Sequence, residues 1–165
     1  MLLGALVVVL LIEVVVLYQP PAYFYLRDLI SAVVPETVVA LVNKEREEAG
    51  LSALVVNDQL TAAAQAKADD MATRGYFAHQ GPEGEVPWVW LDQAGYRYTT
   101  AGENLAVNYF SSASLARAWL ASERHRSNIL QPDFTEVGLG IAHGEYKNRP
   151  AVFIVQFFAT PRRAP

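Results

Sequence analysis

The chain has 165 residues, 52% of them hydrophobic, a length that suits one globular domain plus an extra apolar segment rather than two full domains. Seventeen Asp and Glu against thirteen Lys and Arg leave a net charge of −4, and the cations are scattered, so the concentrated basic face that nucleic acid requires is missing and that partner is excluded. Cysteine is absent, which removes a disulfide framework and thiol chemistry but assigns no compartment, because a domain above about 100 residues can bury enough core without covalent staples.

Residues 1–18, MLLGALVVVLLIEVVVLY, are apolar apart from Glu13. About 18 to 20 such residues cross a hydrocarbon core, so a transmembrane helix is predicted, anchoring a single-pass membrane protein. A cleaved signal peptide would need a basic start, a shorter apolar run and a small-residue cleavage site, none of which is present. Glu13 costs about 3 kcal/mol at that depth unless it sits near the interface or meets a partner helix. No Lys or Arg precedes Arg27, so flanking charge does not orient the span. Gln19-Pro20-Pro21 ends it. Residues 19–35 then form a juxtamembrane linker whose Tyr23, Phe24 and Tyr25 suit the headgroup region; it either lies along the membrane or packs as a helix on the domain.

A domain is expected over 36–160, followed by a short tail at 161–165. Val38, Leu41, Val42 and Ala49 follow helical spacing with Lys44, Glu45, Glu47 and Glu48 on the other side, so 36–48 reads as an amphipathic helix closed by Gly50. Asn57 or Asp58 caps a second helix to Arg74, with Leu60, Ala64, Ala68 and Met71 on one face and Gly75 as its stop. A short helix over 86–94 carries Trp88, Trp90 and Leu91. Tyr96 to Val107 reads as the first strand region, and Ser114 to Ser122 as a helix with Leu115, Ala118 and Trp119 inward. Residues 137–142 and 151–159 are apolar, β-branched and aromatic, with HGEYKNRP between them as a hairpin turn. The resulting expectation is an α/β fold: a small antiparallel three-stranded sheet with helices on both faces.

Residues able to do chemistry cluster in 101–140. Glu103 and His125 are of the types that bind metals or move protons near neutral pH, and His79 stands earlier, where an apolar run breaks into a Gly/Pro turn. Imidazole and carboxylate together suit a divalent metal such as Zn and leave positions open to water. Each also has a plain structural reading: Glu103 holding its loop, His125 capping a helix, His79 tying a turn. Asn104 and Asn128 are expected to bond backbone, and His143 to be solvated. No Gly-x-Ser-x-Gly elbow, Walker loop or dinucleotide loop is present.

FAH-x-x-PEG at 77–84, GENLA at 102–106 and HRSNIL-x-x-x-FTEVG at 125–138, with Asn43 and Arg46 in the first domain helix, resemble the bacterial branch of the CAP family, also called the SCP-like extracellular family, over residues 36–159. The resemblance implies an alpha-beta-alpha sandwich with a cleft lined by two His and two Glu, and a domain outside the cytoplasm. His79, Glu103 and His125 match three of the four. Glu123 stands near the place of the second glutamate, yet residues two apart do not share a helix face, so it reaches the cleft only if the helix breaks before His125. The expected site is thus His79, Glu103, His125 and Glu123, with His79, His125 and Glu103 as the metal set and Glu103 mainly orienting one imidazole. Two functions stay open: a module binding a small ligand, lipid, wall component or protein in this cleft, or a metal-dependent hydrolase or peptidase using the same residues.

Overall fold

The computed structural model describes residues 33–162, so the predicted span at 1–18, all of the linker up to residue 32 and the tail beyond residue 162 lie outside the described residues. Among the described residues no helix is long and apolar enough to cross a membrane. In chain order the elements are α1 (Pro35–Glu48), β1 (Val55–Val56), α2 (Asp58–Arg74), α3 (Val89–Gln93), β2 (Tyr98–Val107), α4 (Ser112–Ala121), α5 (Glu123–Ile129), β3 (Glu136–Tyr146) and β4 (Arg149–Pro161).

Proline occupies the first turn of α1, where its missing N–H costs nothing. Val38, Val39 and Val42 turn inward from this helix, and Arg46, one turn on, is fully buried with them. Its guanidinium donates to the carbonyl oxygens of Ser52 at 2.9 Å, Ile129 at 2.8 Å, Gln131 at 2.9 Å and Phe134 at 3.0 Å, which offsets the cost of burying a cation. Asn43 works the same way at shorter range: its amide donates to Leu54 O at 2.9 Å and accepts from Leu54 N at 2.8 Å. Both residues of the first-helix motif therefore fasten α1 to the loops around it.

The N-cap Asn57 accepts from the N–H groups of Gln59 and Leu60, and Gly75 ends α2 in the left-handed conformation. The buried stripe of Ala63, Ala64 and Ala68 lets α2 lie directly on β3. The strand meets it with glycines, because a Cβ at Gly138 would stand 2.1 Å from the backbone of Leu60 and one at Gly140 2.3 Å from that of Ala64.

The sheet has four strands in the order β1-β3-β4-β2, which corrects the three-stranded antiparallel expectation. β2, β3 and β4 are antiparallel neighbours as expected, but β1 adds a parallel pair, Val55 with Glu136 and Val56 with Val137. Two exposed valines carry no alternation, so periodicity had nothing to read there. The hairpin turn is also tighter than the eight residues expected. Strand pairing runs on to Tyr146 with Arg149, leaving Lys147 and Asn148 at φ 53° and 60°, the two positive values of a type I′ hairpin turn.

β4 lies in the middle and is buried on both sides. Val152, Ile154 and Phe158 join the core shared with α1, α4 and α5, whereas Phe153, Val155 and Phe157 join the core shared with α2 and α3. This is the sandwich of helices about a sheet that the sequence led us to expect. β2, an outer strand, and β3, open beyond its short pairing with β1, both have side chains bonded to their backbone. On β3, the Gln65 amide donates to Ile141 O at 2.8 Å and accepts from Ile141 N at 3.1 Å; on β2, Trp119 Nε1 donates to Leu105 O at 3.2 Å and Asn128 Nδ2 to Glu103 O at 3.0 Å.

Candidate functional site

Glu103 sits midway along β2 in register with Phe157, which places its carboxylate in the interior with its side chain only 2% exposed. His79 lies in the turn after α2 with its side chain 59% exposed, and its Nδ1 meets Glu103 Oε2 in a hydrogen bond. The other carboxylate oxygen, Oε1, is buried without a partner among the described residues. Burial pushes the Glu103 pKa up and the contact with His79 pulls it down; on the ring, that same contact raises His79 above its ordinary value.

Lys67 closes this cluster from behind. It is fully buried on α2, and its ammonium donates to Tyr76 OH at 2.9 Å and to the His79 carbonyl at 3.1 Å. Burial lowers its pKa, and the Glu103 charge is the largest influence working the other way. Lys67 was missed by the sequence reading. The available signal was a lysine one turn after Ala64 and one before Met71, on the buried stripe of α2.

His125 is half-buried on α5, with its ring centroid 6.5 Å from that of Trp119. Burial lowers its pKa, and the charge of His79 lowers it further. Two asparagines place α5 against β2: Asn104 Nδ2 donates to the His125 carbonyl at 3.2 Å, and Asn128 Nδ2 donates to Glu103 O at 3.0 Å and to Asn104 Oδ1 at 2.9 Å. Ser127 turns instead to the Arg124 carbonyl. His143 is exposed, but in β3 rather than in a turn.

Glu123 stands apart. The chain breaks at Ser122, which has ψ 118°, and Glu123 then opens the same helix that carries His125. It is exposed and lines a different hollow with Leu120, Arg126, Ser127 and Leu130. Among the described residues no three His, Cys, Asp or Glu side chains gather closely enough to hold a metal ion. The donor set of His79, Glu103 and His125 does not fit a three-ligand centre as arranged: one Glu103 oxygen is taken by His79, and the other is enclosed.

The model of the cysteine-rich secretory protein family, CAP, matches residues 39–158. The chain is 42% identical over 103 residues to the uncharacterized protein YkwD of Bacillus subtilis, covering 62% of this chain and 40% of that one. It is 29% identical over 109 residues to the uncharacterized membrane protein YlbC of the same organism, covering 66% and 32% respectively. The chain thus spans less than half the length of these two relatives. In structure it is similar to an extracellular protein containing a SCP domain from Bacillus anthracis, with a TM-score of 0.64 and 29% identity over 76% of this chain and 40% of that one. The matched family model takes in α1 from Val39 onward, the His79 turn, β2, α5 and nearly all of β4, and on that extent the chain belongs to the CAP family.

Proposed function

We propose that this CAP-family domain is held at a membrane by residues 1–18, stands outside the cytoplasm, and binds a ligand in the cleft around His79, Glu103 and His125. The observation that carries this reading is the contact of His79 with Glu103. A buried carboxylate fixes Nδ1 of an imidazole whose side chain is more than half exposed, leaving Nε2 as the ring nitrogen available to a ligand. Such an arrangement is set in advance, so little ordering has to occur on binding. A lipid, a wall component or another protein carrying a hydrogen-bonding group suits it. The placement draws support from the membrane protein YlbC and from the extracellular protein of Bacillus anthracis.

A metal-dependent hydrolase in the same cleft has less support, because the ligand set is not gathered. Two experiments test the reading. A reporter fused after Pro165 should be active outside the cytoplasm, and activity only in the cytosol would overturn the placement. Screening the full chain against lipids and wall fragments should give a ligand whose binding falls in His79→Ala. Turnover of a peptide or glycan, abolished in Glu103→Ala, would establish the hydrolase instead.

A further inference from the structure

At the start of β2 lies a hollow of about 450 Å³ whose lining includes Asp92, Arg97, Tyr98, Thr99 and Arg162. It is separate from the cleft already described. Tyr98 precedes Glu103 by five strand positions, about 17 Å at the usual rise of ~3.3 Å per residue.

Arg97 and Arg162 stand side by side across the ends of β2 and β4, because the Arg162 N–H donates to the Arg97 carbonyl at 2.9 Å. Both are exposed, and among the described residues neither guanidinium forms an ion pair. Like charges opposed across strands work against folding, so packing gives no reason for two arginines here. Arg74, by contrast, faces Asp70, Glu83 and Glu85. Tyr98 adds a hydroxyl. Burial, then the charge of Asp92, raises its pKa, with Arg162 acting in the opposite sense, so the phenol stays protonated and able to donate. The Thr99 hydroxyl is already spent on Thr160 O at 3.3 Å.

We propose that this hollow binds a singly charged oxyanion within a larger molecule, a phosphodiester of the glycerophosphate kind, between the Arg97 and Arg162 guanidinium groups with Tyr98 donating a further hydrogen bond. Guanidinium forks match the paired oxygens of such a group. Asp92 on the lining opposes a second negative charge, which favours a diester over a phosphate monoester or pyrophosphate. The volume lies within the range of small-ligand sites and leaves room for a substituent on each side of the phosphorus. Two cations on a chain of net charge −4 suit one diester rather than a nucleic-acid backbone. The diester can belong to a lipid headgroup or to a soluble molecule.

The experiment is an amide chemical-shift titration of the full chain in maltoside micelles, which carry no phosphate, with glycerophosphoglycerol, with a parallel sample in phosphatidylglycerol nanodiscs. Saturable shifts confined to 95–99 and 162 on adding glycerophosphoglycerol identify a soluble diester. The same shifts arising only in the phosphatidylglycerol discs identify a headgroup. Arg97→Gln and Arg162→Gln should each weaken binding about tenfold, the loss expected for one charge-assisted contact, and the double variant should abolish it. Asp92→Asn should tighten binding of inorganic phosphate, and Arg149→Gln in the hairpin should change nothing. Melting midpoints no lower than that of the wild type separate lost contact from lost fold. No shifts in either sample, or shifts indifferent to both arginines, would overturn the proposal.

Discussion

His79 and Glu103 show how a single pairing sets local charge. The carboxylate raises the His79 pKa above its ordinary 6.5, with burial acting against it. A histidine whose folded pKa exceeds its unfolded one contributes stability that is complete below about pH 6.5 and is lost as pH rises through the folded value. Glu103→Gln removes the charge responsible. An NMR titration of the imidazole should therefore place the His79 midpoint lower in the variant, and the stability advantage of the wild type should shrink as pH rises from about 6 to 8. An unchanged midpoint would mean that the carboxylate carries no charge beside the ring. The residues were legible in the sequence as types, Glu103 next to Gly102 and His79 just before a Gly/Pro turn, but their contact was not. They are 24 positions apart, and only the motif resemblance put them in one cleft. Lys67 escaped because one lysine in an alanine-rich helix reads as solvated until Tyr76 and the His79 carbonyl are seen to receive it.

Between elements, Arg46 is the main fastening of α1. Arg46→Ala would strip four backbone carbonyls of their donor, two of them in fully buried contacts, and should destabilise the domain by about 3 kcal/mol in urea unfolding. Arg46→Lys should recover less than half, since an ammonium offers no planar fork. A loss below about 0.5 kcal/mol, the usual range for surface changes, would show that these bonds are replaced by water. Legibility at this scale follows punctuation. α2 was read to within a residue at its start, with Asn57 or Asp58 as the cap, and to about Arg74 at its end, because Gly75 stops it. α5 was not foreseen: its seven residues, ERHRSNI, bury only Ile129 and offer no apolar period. β1 depends on its pairing with β3, 81 residues later in the chain, and two valines alone do not announce that.

For the whole molecule, the donor arrangement and the sheet edges each carry a consequence. Metal binding is decided by melting curves with millimolar Zn or Mn, before and after chelator, in the wild type and in His125→Ala: an unchanged midpoint in both would agree with a donor set that is not gathered among the described residues. A metal-dependent rise confined to the wild type would show that the cleft closes round an ion. Helices and strands alternating along the chain gave helices on both faces of a sheet, and the motif resemblance implied the sandwich, while strand order depended on contacts too remote for local pattern to report. The side chains bonded to β2 and to the part of β3 beyond its pairing with β1 bear on something else, the behaviour of many copies together. An open strand is a template on which another copy can add, and the Gln65 amide, by occupying both bonding groups of Ile141, fills the position a neighbouring strand would take. Gln65→Leu should therefore leave the monomer folded but sticky, with light scattering that rises with concentration and time while the wild type stays clear; equal scattering from the two would mean that α2 shields the edge without the amide.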